Sequence, residues 1–319
     1  MSRVQWSCAQ RWKNDAIFLG VRVGIGLATS VLRSWLPALG AALGMAAFAM
    51  FGGARKTTFA NLALAGSRAT SPDAPLRAPE LASVARAIFR RLGQNLTDTV
   101  ALLDPTEEPD RTLGITPASR VELEAALAEG RGVIYATCHL GPWERMAALL
   151  AKLGYPITTL ARESYDARFH GLVYDRLRTG RNIEVIYRSE TRAPIAIVRA
   201  LRRRRVLGFL VDLPGRSANG AAVDWLGRAS RMAPGPARLA LRTGCPVVIG
   251  TPAPGPDGLY VRIARLPTRD LDPTAEGEAA LCQRIADALS DRIRELPTDW
   301  PWMHPSFGSE ADKPAPRMP

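Results

Sequence analysis

From residue 132 to 295, short apolar β-prone runs alternate with stretches of helical periodicity. No other feature narrows the possible folds as much. Strands are expected at 132–138, 156–161, 183–187, 205–211, 245–250 and 259–265. Helices are expected at 142–153, 164–179, 191–203, 235–243 and 276–295. Such alternation implies an α/β fold, a mostly parallel central sheet flanked by helices. A chain of 319 residues is long enough to bury a substantial core. Upstream, 80–103 reads as an amphipathic helix, because Leu81, Val84, Ala85, Ile88, Phe89 and Leu92 fall at helical spacing. A second helix, 117–129, ends at Gly130.

The run Gly132-Val-Ile-Tyr-Ala-Thr-Cys-His139-Leu-Gly-Pro-Trp-Glu144 concentrates the chemistry. Val133 to Cys138 is uncharged and mostly apolar, as a buried parallel strand requires. Gly141-Pro142 breaks it, and proline suits a first helical turn because its missing N–H has no partner there. His139 therefore falls at a carboxyl strand end, and Glu144 in the first turn of the next helix. Ligands of open α/β sheets bind beyond such strand ends. A carboxylate five positions after a histidine, folded back over a tight turn, can fix the ring tautomer and stabilise the imidazolium. The alternative is a strand-end histidine beside a helix-capping glutamate. Spacing alone does not separate the two.

Two further strand ends carry charge. Arg162 follows Ile157-Thr-Thr-Leu-Ala, and Asp212 follows Val206-Leu-Gly-Phe-Leu-Val. His139, Arg162 and Asp212 are thus expected along one edge of the sheet, unless the last two form a structural ion pair. The loop 212–220, which contains Arg216, is turn-rich and able to close over a substrate. Arg176, Arg178 and Arg181 lie at or just past the end of the 164–179 helix, placed either to grip phosphate or to face water. His170 and His304 have no partners at metal-ligand spacing, so no metal site is expected. Neither a GxGxxG nor a GxxxxGK[ST] phosphate loop is present. Cys138 and His139 point to opposite strand faces, a poor arrangement for a thiol–imidazole pair.

Residues 34–54 carry no charge over 21 positions, and Arg33 and Arg55-Lys56 bound them. That length suffices for a bilayer span, although alanine and glycine dominate it. The stretch 16–32 is also apolar, interrupted by Arg22, and Trp12 and Trp35 resemble interfacial anchors. One transmembrane helix, a pair of interfacial helices, and helices packed on the following domain all fit. A cleaved signal peptide is not expected, because the apolar run starts late. A division into an N-terminal membrane-associating helical region (1–70) and an α/β domain (71–319) follows, with the Pro-rich 71–79 between them. Net charge is +12, from 42 Lys+Arg against 30 Asp+Glu, and lysine stands only at 13, 56, 152 and 313. The positive balance favours acidic lipid, an acidic carrier protein or nucleic acid. The four scattered cysteines read as thiols of a reducing compartment rather than a disulfide framework.

The segment His139-Leu-Gly-Pro-Trp-Glu144 resembles the H-x4-D/E motif of glycerolipid acyltransferases. More closely, it resembles the H-x-x-N-W-E signature of the bacterial lipid A biosynthesis (lauroyl/myristoyl) acyltransferases. Other segments are similar to that family in the same order. Trp35-Leu-Pro and Arg55-Lys-Thr-Thr-Phe-Ala-Asn-Leu62 resemble its W-x-P and R-x5-N-L patterns. Ala161-Arg162, with the helix end from Tyr174 to Gly180, resembles its middle arginine segment. Phe209-Leu-Val-Asp212, Ala233-Pro-Gly-Pro-Ala-Arg-Leu-Ala240 and Trp302-Met-His304 complete the series. The resemblance covers about residues 20–307.

This resemblance implies a glycerolipid acyltransferase-like fold with N-terminal membrane-associated helices, on the cytoplasmic face of the bacterial inner membrane. It implies transfer of a fatty acyl chain from an acyl-carrier-protein or coenzyme A thioester to a hydroxyl of a lipid A precursor or related glycolipid. His139 would be the general base with Glu144. Arg162 and Arg178 would hold phosphate or the donor's anionic arm, or orient Glu144. Asp212 would position an arginine or the acceptor, and Trp143 and Arg216 would line the substrate site. Backbone N–H groups at Trp143 and Glu144 would face the oxyanion. The donor thioester is a co-substrate, and neither a metal nor a bound cofactor is required. Two positions depart from the pattern: Pro142 stands where the family has Asn, and Leu213 where it has Gln. Altered acceptor recognition is expected from both, so other acceptors fit, namely a phosphoglycolipid, a lyso-phospholipid or an amino-acid lipid. A different kind of reading is a catalytically inactive membrane lipid-binding protein. No helix-turn-helix, RRM or zinc pattern supports nucleic-acid binding.

Overall fold

In the computed structural model, the structure describes residues 6–30, 33–65, 78–213 and 220–304. Apolar runs become the inner strands of a seven-stranded sheet: β2 (Val133–Thr137), β3 (Ile157–Ala161), β5 (Val206–Leu210) and β8 (Val247–Gly255). The sheet is completed by β1 (Leu113–Ile115), β4 (Glu184–Tyr187) and β9 (Gly258–Leu266), in the order β1-β9-β8-β2-β5-β3-β4. Every pairing is parallel except β8–β9, a long hairpin. The expected α/β fold, mostly parallel with helices around the sheet, is what forms. β2 is buried along its whole length, because helices cover both faces of the sheet.

The helices are α1 (Cys8–Ser30), α2 (Leu36–Met50), α3 (Gly52–Ala65), α4 (Ala78–Ala101), α5 (Pro117–Ala128), α6 (Trp143–Lys152), the single turn α7 (Asp175–Leu177), α8 (Ala193–Arg202), α9 (Gly235–Thr243) and α10 (Ala275–Glu295). One core joins α3 and α4 to the sheet, α9 and α10 through Leu62, Ile88, Ile134, Leu207 and Leu289. A second lies beneath α5 and α6, around Leu123, Tyr135, Leu149 and Val248, and a smaller third gathers Ile25, Leu102, Leu103, Ala148 and Leu177. The expected boundary at residue 70 and most of the Pro-rich stretch 71–79 lie outside the described residues. Leu62 and Ala65, before that boundary, share a core with Ala85 and Ile88 after it.

Two expectations need correction. The helix expected over 164–179 is broken, with a π-turn at His170–Tyr174, the short α7, and a 3-10 turn at Thr179–Arg181. Between Asp212 and α9 stands an unforeseen hairpin, β6 (Ala221–Trp225) with β7 (Arg228–Met232). Leu226 and Gly227 form its turn at φ of 56° and 83°, the conformation that two-residue hairpins of right-handed twist require.

The uncharged stretch forms α2 and ends three residues into α3, and the two helices are bent by 93°. No single described helix is long and apolar enough to cross a membrane, though this bent pair passes by length and composition. α2 lies against α4 at close range. A β-carbon on Gly93 would collide with the carbonyl of Gly40, and one on Gly44 with the carbonyl of Phe89. The Thr97 hydroxyl also donates to the Leu36 carbonyl at 3.0 Å. Gly93→Val is therefore expected to destabilise the fold by about 2–3 kcal/mol through overpacking. Gly53→Ala, where a β-carbon meets nothing within 4 Å, is expected to be near neutral. Urea denaturation of the purified variants checks both.

Candidate active site

β2 runs into a tight turn at Gly141, whose φ is 56°. Glycine adopts that conformation without strain. The turn is tied down from the far end of the chain, since the Gly141 N–H donates to the Asp299 carbonyl at 3.0 Å. Arg91 of α4 clamps the Asp299 carboxylate at 2.8 Å. Asn61 of α3 donates to the carbonyls of Trp302 and His304, each at 2.7 Å. The segments that resemble the R-x5-N-L and W-M-H patterns thus meet beside the turn that carries His139.

His139 finds its carboxylate on the neighbouring strand. Its Nδ1 lies 2.8 Å from Asp212 Oδ1, and its backbone N–H donates to Asp212 Oδ2 at 2.9 Å. The indole N–H of Trp300 donates to the same oxygen at 3.0 Å. An ionised carboxylate only accepts hydrogen bonds, so the neutral ring keeps its proton on Nδ1 and has the lone pair on Nε2. Burial raises the Asp212 carboxyl, but the His139 and Trp300 hydrogen bonds outweigh it and leave the pKa below the ordinary aspartate value. Burial likewise pulls the His139 ring down. The hydrogen bond and charge of Asp212, with the charge of Glu144, leave it above the usual histidine value.

Glu144 does not hydrogen-bond His139. Its carboxylate is held by Arg178, through Nη2 at 2.5 Å and Nε at 3.1 Å. Arg178 also donates to the Thr159 hydroxyl at 2.8 Å. The expected pairing is therefore exchanged: the carboxylate five residues on serves an arginine, and the one 73 residues on serves the histidine. The helix dipole contributes to this arrangement, because Glu144 in the first turn of α6 is already favoured by the N-terminal partial charge. Of the roles weighed for Arg178, orienting Glu144 is the one the geometry carries.

The other candidates are distributed as follows. The Trp143 ring stands edge-on to His139 at 5.0 Å between centroids. The Trp143 amide is engaged by the Gly141 carbonyl at 3.0 Å, so it is not the open oxyanion donor that was expected. Arg162 is exposed just past β3 and pairs with no carboxylate among the described residues. Arg216 lies outside the described residues. Arg181 turns away to the carbonyls of Leu102, Asp104 and Glu107. Reasoning from sequence missed Trp300 and His304. The His304 ring lies 6.2 Å from that of His139, and burial with the neighbouring imidazole lowers its pKa. No group of three or more His, Cys, Asp or Glu among the described residues is arranged to hold a metal.

A cavity opens beside Trp143, Glu144 and Arg178. Trp143, Glu144, Arg178 and Leu210 line it together with Tyr135, Leu150, Ile157 and Val206. Its walls are mainly apolar. Gly208, in mid-strand, leaves room where a side chain would fill it, since a β-carbon there would meet nothing closer than 3.7 Å.

An imidazole braced by a buried carboxylate thus stands against Trp143, which lines a mainly apolar cavity. The chain belongs to the bacterial lipid A biosynthesis acyltransferase family, whose sequence profile matches residues 10–309. Among curated proteins it is similar to a phosphatidylinositol mannoside acyltransferase of Mycolicibacterium smegmatis, 27% identical over 58% of this chain and 60% of the relative. A phosphatidylinositol mannoside acyltransferase of Mycobacterium tuberculosis is 30% identical over 58% of this chain and 57% of the relative. The matched region thus spans somewhat more than half of these relatives.

Proposed function

We propose that this protein transfers a fatty acyl chain from a carrier-protein or coenzyme A thioester to a hydroxyl of a membrane glycolipid. The observation that carries the reading is the Asp212-braced His139, whose ring packs against Trp143 in the wall of an apolar cavity. A hydroxyl is a weak nucleophile until its proton leaves as it attacks. His139 Nε2 accepts that proton, and Asp212 stabilises the imidazolium. The acceptor oxygen forms a bond to the thioester carbon, the oxyanion collapses, and the C–S bond breaks. The imidazolium returns the proton to the departing thiolate, so the base is regenerated within one turnover. The chemistry needs neither a metal nor a bound cofactor. A positioned base of this kind contributes roughly 100- to 10,000-fold.

The acyl chain takes the apolar cavity, and the acceptor hydroxyl approaches His139 Nε2. The mycobacterial relatives are named for a phosphoglycolipid, phosphatidylinositol mannoside, and Pro142 and Leu213 replace the amides of the lipid A pattern. These two facts favour a phosphate-bearing glycolipid acceptor over a lipid A precursor. Exposed Trp12, Leu19, Leu27, Trp35, Met50 and Phe51 on the N-terminal helices would seat the protein on the cytoplasmic face of the inner membrane. The positive balance would favour anionic lipid and an acidic carrier there.

The test is an acyl-transfer assay with purified protein, a labelled acyl thioester, and two acceptor pools read by mass: a lipid A precursor and a phosphatidylinositol mannoside. The expected product is the mannoside gaining one acyl chain. Thioester hydrolysis with no mass-shifted lipid in either pool would contradict the reading.

A further inference from the structure

We propose that the Thr137 hydroxyl donates a hydrogen bond to the carbonyl oxygen of the acyl donor. The proposal rests on the acyl-transfer reading above and adds a substrate contact to it. Thr137 is the last residue of β2, two before His139, and faces the same side of the strand as Tyr135. It borders the apolar cavity. The residue is 7% exposed, and its hydroxyl oxygen has no hydrogen-bond partner among the described residues. Its backbone carbonyl is already used, accepting from the Val211 N–H at 3.0 Å.

A buried hydroxyl without a partner weakens a fold, and valine fills the same shape without that penalty. A threonine kept in an apolar wall therefore points to a partner that arrives with the substrate. The second threonine bordering this cavity gives the contrast, since Thr159 accepts from Arg178 at 2.8 Å. Thr251 also lacks a partner but does not border the cavity. The reaction supplies the need. The thioester carbonyl gathers negative charge as the acceptor oxygen adds to its carbon, and that charge requires donors. One donor expected there, the Trp143 amide, is spent on Gly141. An acyl chain lying in the cavity, with its reacting carbon on the Trp143 side where His139 stands, carries its carbonyl past Thr137. There the hydroxyl donates its hydrogen to the carbonyl oxygen and itself loses no proton.

The test uses Thr137→Val, which removes the hydroxyl at constant shape, and Thr137→Ser, which keeps it. Binding is measured for two non-cleavable palmitoyl-pantetheine analogues, the arm being common to both donor types. One retains the carbonyl, with methylene in place of sulfur; the other is the thioether without a carbonyl. The full chain should bind the ketone about tenfold tighter than the thioether. Thr137→Val should bind the two equally, with the thioether unaffected, while Thr137→Ser keeps the preference. In turnover, kcat should fall about 100-fold in the valine variant and recover in the serine variant. A valine variant that still prefers the ketone overturns the Thr137 assignment and leaves the acyl-transfer reading standing. A serine variant as impaired as valine assigns the position to packing, which also overturns it. A wild-type protein that binds neither analogue overturns the acyl-donor reading itself.

Discussion

Asp212→Asn is expected to lower acyl transfer by about 100- to 10,000-fold, close to the loss in His139→Ala. The two side chains act as one unit, so the double variant should be little worse than either single one. Asparagine keeps the shape but presents no charge to the imidazolium, and its amide no longer fixes the proton on Nδ1. Glu144→Gln should cost far less, about tenfold, because Glu144 reaches the site through Arg178 and not through the ring. Initial rates of the purified variants with saturating donor check this order. An intact Asp212→Asn beside a dead Glu144→Gln would reverse the assignment.

Arg145→Met is expected to destabilise the protein by about 3 kcal/mol. The Arg145 guanidinium is fully buried. Its Nε bonds Asp98 at 2.8 Å, Nη2 bonds Glu107 at 2.9 Å, and Nη1 donates to the Glu108 carbonyl at 3.0 Å. Removing one member of a buried ionic set leaves its partners desolvated, which typically costs about 3–5 kcal/mol. The lower end applies because Glu107 keeps Arg33 at 3.1 Å and Arg111 at 3.0 Å. The cluster fixes α6 against α4, and α6 carries Trp143 and Glu144. Activity should therefore fall along with stability. Neutralising Asp98 in the same chain should recover part of the loss, since coupled sites are non-additive. Urea denaturation of the single and double variants measures the coupling.

The strand–turn–helix unit around His139 was legible because its physics is local. An uncharged apolar run, a Gly-Pro break and a helical repeat follow one another without interruption, and β2 and α6 formed as expected. The convergence of His139 and Asp212 on one sheet edge was legible too, because parallel strands all end on the same side. Which carboxylate serves the histidine was not. Glu144 is near in sequence, but Arg178 claims it. Asp212 is distant in sequence yet lies at the end of β5, the strand that pairs directly with β2. The available signal was a lone acid ending a fully apolar run, which has to find donors once buried. The β6–β7 hairpin escaped notice because Arg228, Arg231 and Asp224 mask an alternation whose inward members are Val223, Trp225 and Met232. The uncharged N-terminal stretch gave its composition correctly. Its close packing on α4 depends on Gly93, a glycine far outside the stretch.

The most direct measurement of the central claim is the pH profile of acyl transfer in wild type, Asp212→Asn and Glu144→Gln. A base must be unprotonated to accept the acceptor's proton, so activity falls as pH drops through the His139 pKa. Asp212, aided by Glu144, holds that pKa above the ordinary 6.5, and the acid limb should lie correspondingly above it. Without the Asp212 charge, burial dominates and the limb should move to lower pH, by more than in Glu144→Gln. A limb unmoved in Asp212→Asn but displaced in Glu144→Gln would contradict the account.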